Sequence, residues 1–126
     1  MIAVDTSALM AVLLNEPGAD ACMAALENGP LVISAATVAE ALIVAGRRDV
    51  RAEMERLIDG LGFEIVSVSS ASARRVAECY DRWGKGAHPA ALNFGDCFAY
   101  ALAKERGCPL LYVGEDFAHT DIARAQ

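Results

Sequence analysis

The chain alternates between short apolar runs and longer segments with helical spacing. Residues 1–4, 31–34, 63–66 and 110–113 are the apolar runs. A brief, nearly continuous apolar run reads as a strand buried on both faces, the kind found inside a parallel sheet. Between these strands the pattern predicts helices over residues 8–14, 19–26, 36–45, 50–61, about 70–83 and 94–106. The punctuation fits. Thr6 or Ser7 is expected to cap the first helix, Asp49 the fourth, Ser69 or Ser70 the fifth and Asn93 the sixth. Asn15-Glu16-Pro17-Gly18, Asn28-Gly29-Pro30, Gly46, Gly60, Gly62 and Gly107 are read as breaks, and residues 84–89 as a flexible loop. Residues 122–123 are expected to form a short terminal strand.

Strands that alternate with helices imply a three-layer α/β/α sandwich with a short, mostly parallel sheet and helices on both faces. Right-handed crossovers bring the carboxyl ends of the strands to one edge, where open α/β sheets place their sites. Asp5 and Asp116 follow directly on buried-type strands and so are expected on that edge.

The 126 residues suit one domain, 1–126, without repeat or linker. Hydrophobic residues make up 55%, which excludes a disordered chain. No apolar run approaches the roughly 18 residues of a membrane span, and the N-terminus lacks the basic region of a secretory signal. A cytoplasmic, non-membrane protein is expected. Cys22, Cys79, Cys97 and Cys108 form no C-x-x-C pair and sit among apolar neighbours, as buried reduced thiols do. The net charge of −6 argues against a large sequence-blind nucleic-acid footprint. It leaves room for a nuclease, because catalytic carboxylates are themselves negative.

Some of the acids stand out. Glu40 is the only charge in residues 35–45, with Ala36, Ile43 and Val44 as its helical neighbours. An unpaired carboxylate is expensive in such surroundings. Asp96 borders the apolar stripe of Cys97, Phe98, Ala101 and Leu102. Taken singly, each acid has an ordinary explanation: a cap for Asp5, a solvent-facing position for Glu40, the helix dipole for Asp96, a turn for Asp116. Taken together, four carboxylates on one edge would repel one another unless a cation neutralised them. Hard oxygen donors without His or Cys point to Mg²⁺ or Mn²⁺, and such sites suit phosphodiester hydrolysis.

The residues that carry this pattern resemble a known family. Ile2-Ala3-Val4-Asp5-Thr6-Ser7-Ala8, the lone Glu40, the segment from Leu92 through Asn93-Phe94-Gly95-Asp96-Cys97 to Ala103, and Gly114-Glu115-Asp116-Phe117 through Ile122 are similar to the PIN domain, and in particular to the VapC toxins of type II toxin–antitoxin pairs. The resemblance spans essentially the whole chain. It implies a Mg²⁺-dependent endoribonuclease, with Mn²⁺ as a second possible metal, acting on structured cellular RNA such as tRNA or rRNA in a bacterial cytoplasm. It implies catalytic and metal-site acids at Asp5, Glu40, Asp96 and Asp116, with Thr6, Ser7 and Asn93 in support. Asp5 and Asp96 are expected to bind the principal metal, Glu40 to orient or deprotonate water, and Asp116, rather than Glu115, to complete the site. It further implies a homodimer and a VapB-like cognate antitoxin seated in a groove.

Arg47, Arg48 and Arg51, with Arg74, Arg75, Arg82 and Lys85, are candidates for RNA phosphate contacts, although such runs are more often simply solvated helix faces. His88, His119 and Trp83 read as ordinary loop, terminal and core residues. The first and third helices are apolar nearly all round, so exposed patches and partners are expected. Two other classes remain open: a non-catalytic PIN-like binding module and a different metal-dependent phosphohydrolase. A receiver-type site would need paired early acids and a late Lys at a strand end, and a haloacid-type hydrolase would need D-x-D. Neither pattern is present.

Overall fold

A computed structural model describes residues 1–126. The elements follow in the order β1 (Ile2–Val4), α1 (Thr6–Leu13), α2 (Ala19–Leu26), β2 (Leu31–Ser34), α3 (Ala35–Arg47), α4 (Arg51–Leu61), β3 (Glu64–Val66), α5 (Ser70–Trp83), α6 (Phe94–Arg106) and β4 (Leu110–Leu111). The four strands form one parallel sheet in the order β3-β2-β1-β4. Ile2 lies opposite Leu31, and Val4 opposite Leu111.

The period of two along each strand divides the core between the two faces of the sheet. Ile2, Val4, Leu31, Ile33 and Leu111 pack with Leu9, Cys22, Leu26, Met54 and Ile58 from α1, α2 and α4. Ala3, Val32 and Leu110 face the other way, onto Val76, Cys79, Trp83, Cys97 and Leu102 from α5 and α6. This is the expected three-layer α/β/α architecture. The strand order turns back at β1, with β2 on one side of it and β4 on the other. The carboxyl ends of β1 and β4 therefore border the crevice where such sheets bind ligands.

Several boundaries differ from the sequence reading. Asp5, not Thr6 or Ser7, caps α1, and Ser34 caps α3. Gly46 and Gly60 lie inside their helices, because packing overrides their weak propensity. Asp49 caps nothing: its backbone is left-handed at φ 60°, and Val50 holds the N-cap position of α4 without a side-chain bond. The terminal strand shrinks to a bridge between Leu110 and Arg124, held by Leu110 N–H to the Ala123 carbonyl and Ala125 N–H to the Leu110 carbonyl. The first helix is not an exposed apolar patch. Ala8, Leu9, Met10 and Ala11 are buried under α2 and α3, whereas α3 does leave Ile43 half exposed. The four cysteines are free. No helix is long and apolar enough to cross a membrane.

Candidate active site

The chain enters the crevice at Asp5, where β1 ends and α1 begins. The Asp5 N–H donates to the Leu111 carbonyl at 3.0 Å, tying the residue to β4. Its side chain is 3% exposed. Oδ2 accepts from the Ser7 N–H at 3.0 Å and from Ser7 Oγ at 2.6 Å. Ser7 Oγ in turn accepts from the Val113 N–H at 3.0 Å, so one hydroxyl joins Asp5 to the segment leading to Asp116. Asp5 thus caps the helix with one oxygen only: Oδ2 does the capping, and the other, Oδ1, is buried without any hydrogen-bond partner.

The hydroxyl beside it serves a different acid. Thr6 Oγ1 donates to Glu40 Oε1 at 2.6 Å. Glu40 is half-buried on α3, so it is not simply a solvent-facing residue. Its carboxylate lies against Gly95 in the first turn of α6. Next along that turn is Asp96. Asn93 Oδ1 accepts from the Asp96 N–H at 2.8 Å, and Asp96 Oδ2 accepts from the Asn93 N–H at 3.0 Å. This reciprocal pair closes the amino end of α6 and orients Asp96.

The acids sense one another. Burial pushes the Asp5 carboxyl up to about 7, against the lowering effect of both Ser7 hydrogen bonds, and the charges of Asp96 and Glu40 raise it further. Burial also raises Asp96, to about 6, with the Asn93 N–H opposing and the charges of Glu40 and Asp116 adding. Asp116 is exposed at the start of a short 3-10 turn, Phe117–His119, and its field reaches Asp96. Glu115 adds nothing to either shift. No three His, Cys, Asp or Glu side chains close into a ready-made metal cage. The cluster is open, with carboxylate donors only and one orphaned buried oxygen at its centre. That fits Mg²⁺ or Mn²⁺, which take one or two carboxylates and keep several waters.

The remaining candidates lie outside this cluster. Arg47 and Arg48 are exposed at the far end of α3, about 10 Å along the axis beyond Glu40, and Arg51 Nε donates to the Leu42 carbonyl. Lys85 is exposed, and its N–H donates to the Leu92 carbonyl beside Asn93, which places it nearest the amino end of α6. Arg74 is exposed, Arg75 pairs with Glu105 at 3.4 Å, and Arg82 stacks over Trp83 at 4.5 Å. His88 Nδ1 accepts from the Ala90 N–H and its ring packs edge-on against Trp83, so it organises its loop. His119 is exposed. Trp83 is buried and donates to Tyr100 Oη at 3.0 Å. The sequence reading missed Gly95. A glycine in the first turn of a helix, beside a candidate acid and without a turn to serve, was the available signal.

The PIN-domain family pattern matches residues 2–123. The protein named ribonuclease VapC42 of Mycobacterium tuberculosis is 44% identical over 128 residues, covering 97% of both chains. The chain is a PIN domain of the VapC ribonuclease family. As in that family's solved structures, the backbone is shared where the sequence has diverged. VapC20 of M. tuberculosis, described as a sarcin–ricin loop cleaving toxin, superposes with a TM-score of 0.79 at 15% identity, over 98% of this chain and 97% of that one. VapBC2 of Rickettsia felis, solved bound to a DNA fragment from its promoter, gives 0.71 at 15% identity, over 98% and 96%. The carboxylate cluster of this VapC chain therefore stands on a fold common to the family, at the edge where its parallel strands end.

Proposed function

We propose that this chain is a divalent-metal-dependent endoribonuclease toxin that uses Asp5, Glu40, Asp96 and Asp116, acts on structured cellular RNA of the tRNA or rRNA class, and is restrained by a VapB-like antitoxin. One observation carries the metal-dependent reading. Asp5 Oδ1 is buried without a donor, beside two further acids, and such an oxygen is costly unless a proton or a cation meets it.

Asp5 and Asp96 would hold the metal, because each keeps one oxygen occupied by its own helix cap and presents the other. When bound, the cation supplies positive charge that polarises the scissile phosphate and acidifies an attacking water. Glu40 would accept the proton of the water that attacks the phosphate. Its orientation is preset by the Thr6 hydroxyl, so the carboxylate need not search for its rotamer. Ser7 keeps Asp5 aligned with the segment that carries Asp116. Asp116, exposed at the rim, would complete the site by holding an outer water or a second cation. Lys85, beside the amino end of α6, takes an RNA phosphate.

The antitoxin reading is supported by α3, which leaves Ile43 51% exposed among the half-buried Val38, Leu42 and Val44. A basic residue from the antitoxin reaching the acid cluster would neutralise it. A homodimer and the boundaries 1–126 as one domain belong to the same reading.

The test is cleavage of total bacterial RNA by the purified chain, with sequencing of the new ends. We expect discrete cuts with Mg²⁺ or Mn²⁺, none with chelator, none with Asp96→Asn, and loss of cutting when the antitoxin encoded beside it is added. Wild-type cutting by Asp5→Asn without metal would overturn the mechanism.

A further inference from the structure

Gly95 is the second residue of α6, and its backbone does not call for glycine. Six of the ten glycines adopt a left-handed φ, and Gly95 is not among them. Alanine is the better helix former, so glycine here has an unfavourable local effect. The compensation lies across the crevice on α3. A Cβ on Gly95 would overlap Glu40 Oε2, and it would stand 2.7 Å from Cδ and 3.3 Å from Oε1 of the same carboxylate. Oε1 is the oxygen that Thr6 holds. The Glu40 carboxylate is therefore fixed from two sides, by a hydroxyl on one oxygen and by the bare Cα of Gly95 under the other.

We infer that Gly95 is a positioning residue for Glu40: the absence of a side chain at 95 lets the carboxylate lie on the first turn of α6, in the cluster with Asp5 and Asp96. The amino end of a helix also favours negative charge there. Because Glu40 is long and flexible, a side chain at 95 does not break the fold. It swings the carboxylate off Thr6 and away from the reacting water. The inference rests on the reading of Glu40 as proton acceptor.

The experiment is a cycle of Gly95→Ala and Glu40→Asp, read as kcat and KM for a cleaved RNA. Gly95→Ala lowers kcat on the order of 10²-fold in the wild-type chain with little change in KM. In the Glu40→Asp background, whose shorter side chain leaves room for the methyl, the same substitution leaves kcat unchanged. A second measurement needs no metal and no activity. Gly95→Ala raises Tm by about 3 °C more in the Glu40→Ala background than in the wild-type chain, because only the latter loses the Thr6 contact. Gly60→Ala on α4, where nothing lies within 4 Å, is the control and leaves kcat at the wild-type level. Wild-type kcat for Gly95→Ala, or equal Tm shifts in both backgrounds, overturns the inference. If Glu40→Gln and Asp96→Asn are themselves fully active, the site reading fails first. If both are inactive and Gly95→Ala is not, the positioning role alone fails.

Discussion

Thr6 Oγ1 and Glu40 Oε1 stand 2.6 Å apart, although 34 residues separate them in the chain. The bond joins the first turn of α1 to the second turn of α3, and it sets the rotamer of the acid assigned to proton transfer. Thr6→Val keeps the shape and deletes the donor. A hydrogen bond of this kind contributes about 1–1.5 kcal/mol, so kcat should fall roughly 10-fold, whereas Thr6→Ser should stay near wild type. Steady-state cleavage assays with circular dichroism to confirm folding decide it; an unimpaired Thr6→Val enzyme would show that the bond is structural only.

Asp5 gives the metal-free protein a pH dependence of defined sign. Its folded pKa of about 7 lies above the ordinary 3.8, and Asp96 at about 6 behaves likewise. The folded state therefore holds more protons than the unfolded state between roughly pH 4 and pH 7, and stability contributed by these groups falls as pH rises through that window. For Asp5 the upper bound is roughly 4 kcal/mol. Asp5→Asn should therefore melt higher than wild type at pH 8 in chelator, with the difference shrinking toward pH 4. Mg²⁺ should raise the wild-type melting temperature at pH 8 and leave Asp5→Asn unmoved. A Tm difference that is flat across this range would remove burial as the cause.

Asp116 and Glu115 are neighbours with different reach. Of the two, Asp116 alone joins Glu40 in raising Asp96. Asp116→Asn should lower cleavage by 10-fold or more and weaken Mg²⁺ binding in calorimetry, on the order of a lost carboxylate contact, while Glu115→Gln should leave both unchanged. The reverse ranking would exchange their roles.

Tyr100 provides a contrast between stability and function. Its hydroxyl accepts from buried Trp83 Nε1 at 3.0 Å and donates to Asp121 Oδ1 at 2.5 Å. Asp121 also meets Lys104 Nζ at 3.2 Å. Tyr100→Phe leaves the indole N–H unpaired, at a cost of about 1–3 kcal/mol in chemical denaturation. Because this network joins α5 and α6 without a hydrogen bond to Asp5, Glu40 or Asp96, kcat at a temperature below the transition should not change.

Phe63, Asp49 and Gly46 show why element boundaries escape a sequence reading. Phe63 fits the apolar run and packs, partly buried, against the core, but β3 starts only at Glu64 on the sheet edge. Asp49 has the composition of a cap but lies in a left-handed turn instead. Gly46 looks like a stop, yet α3 continues one residue past it, to Arg47. In each case a local preference worth a fraction of a kcal/mol yields to tertiary packing.

The sequence by itself determined the strand–helix alternation and the two-sided burial of β1 and β2, because periodicity and burial cost act over a few residues and leave a direct imprint. It also marked Asn93 as the cap of α6. Only the tertiary structure decided that the two hydroxyls after Asp5 serve different acids, that Asp5 keeps one oxygen without a partner, and that the Glu40 carboxylate lies against a glycine. Those facts depend on strand order and helix placement, which bring residues 5, 40, 95 and 113 together across the turn-back at β1. No pattern within a window of ten or twenty residues contains that information.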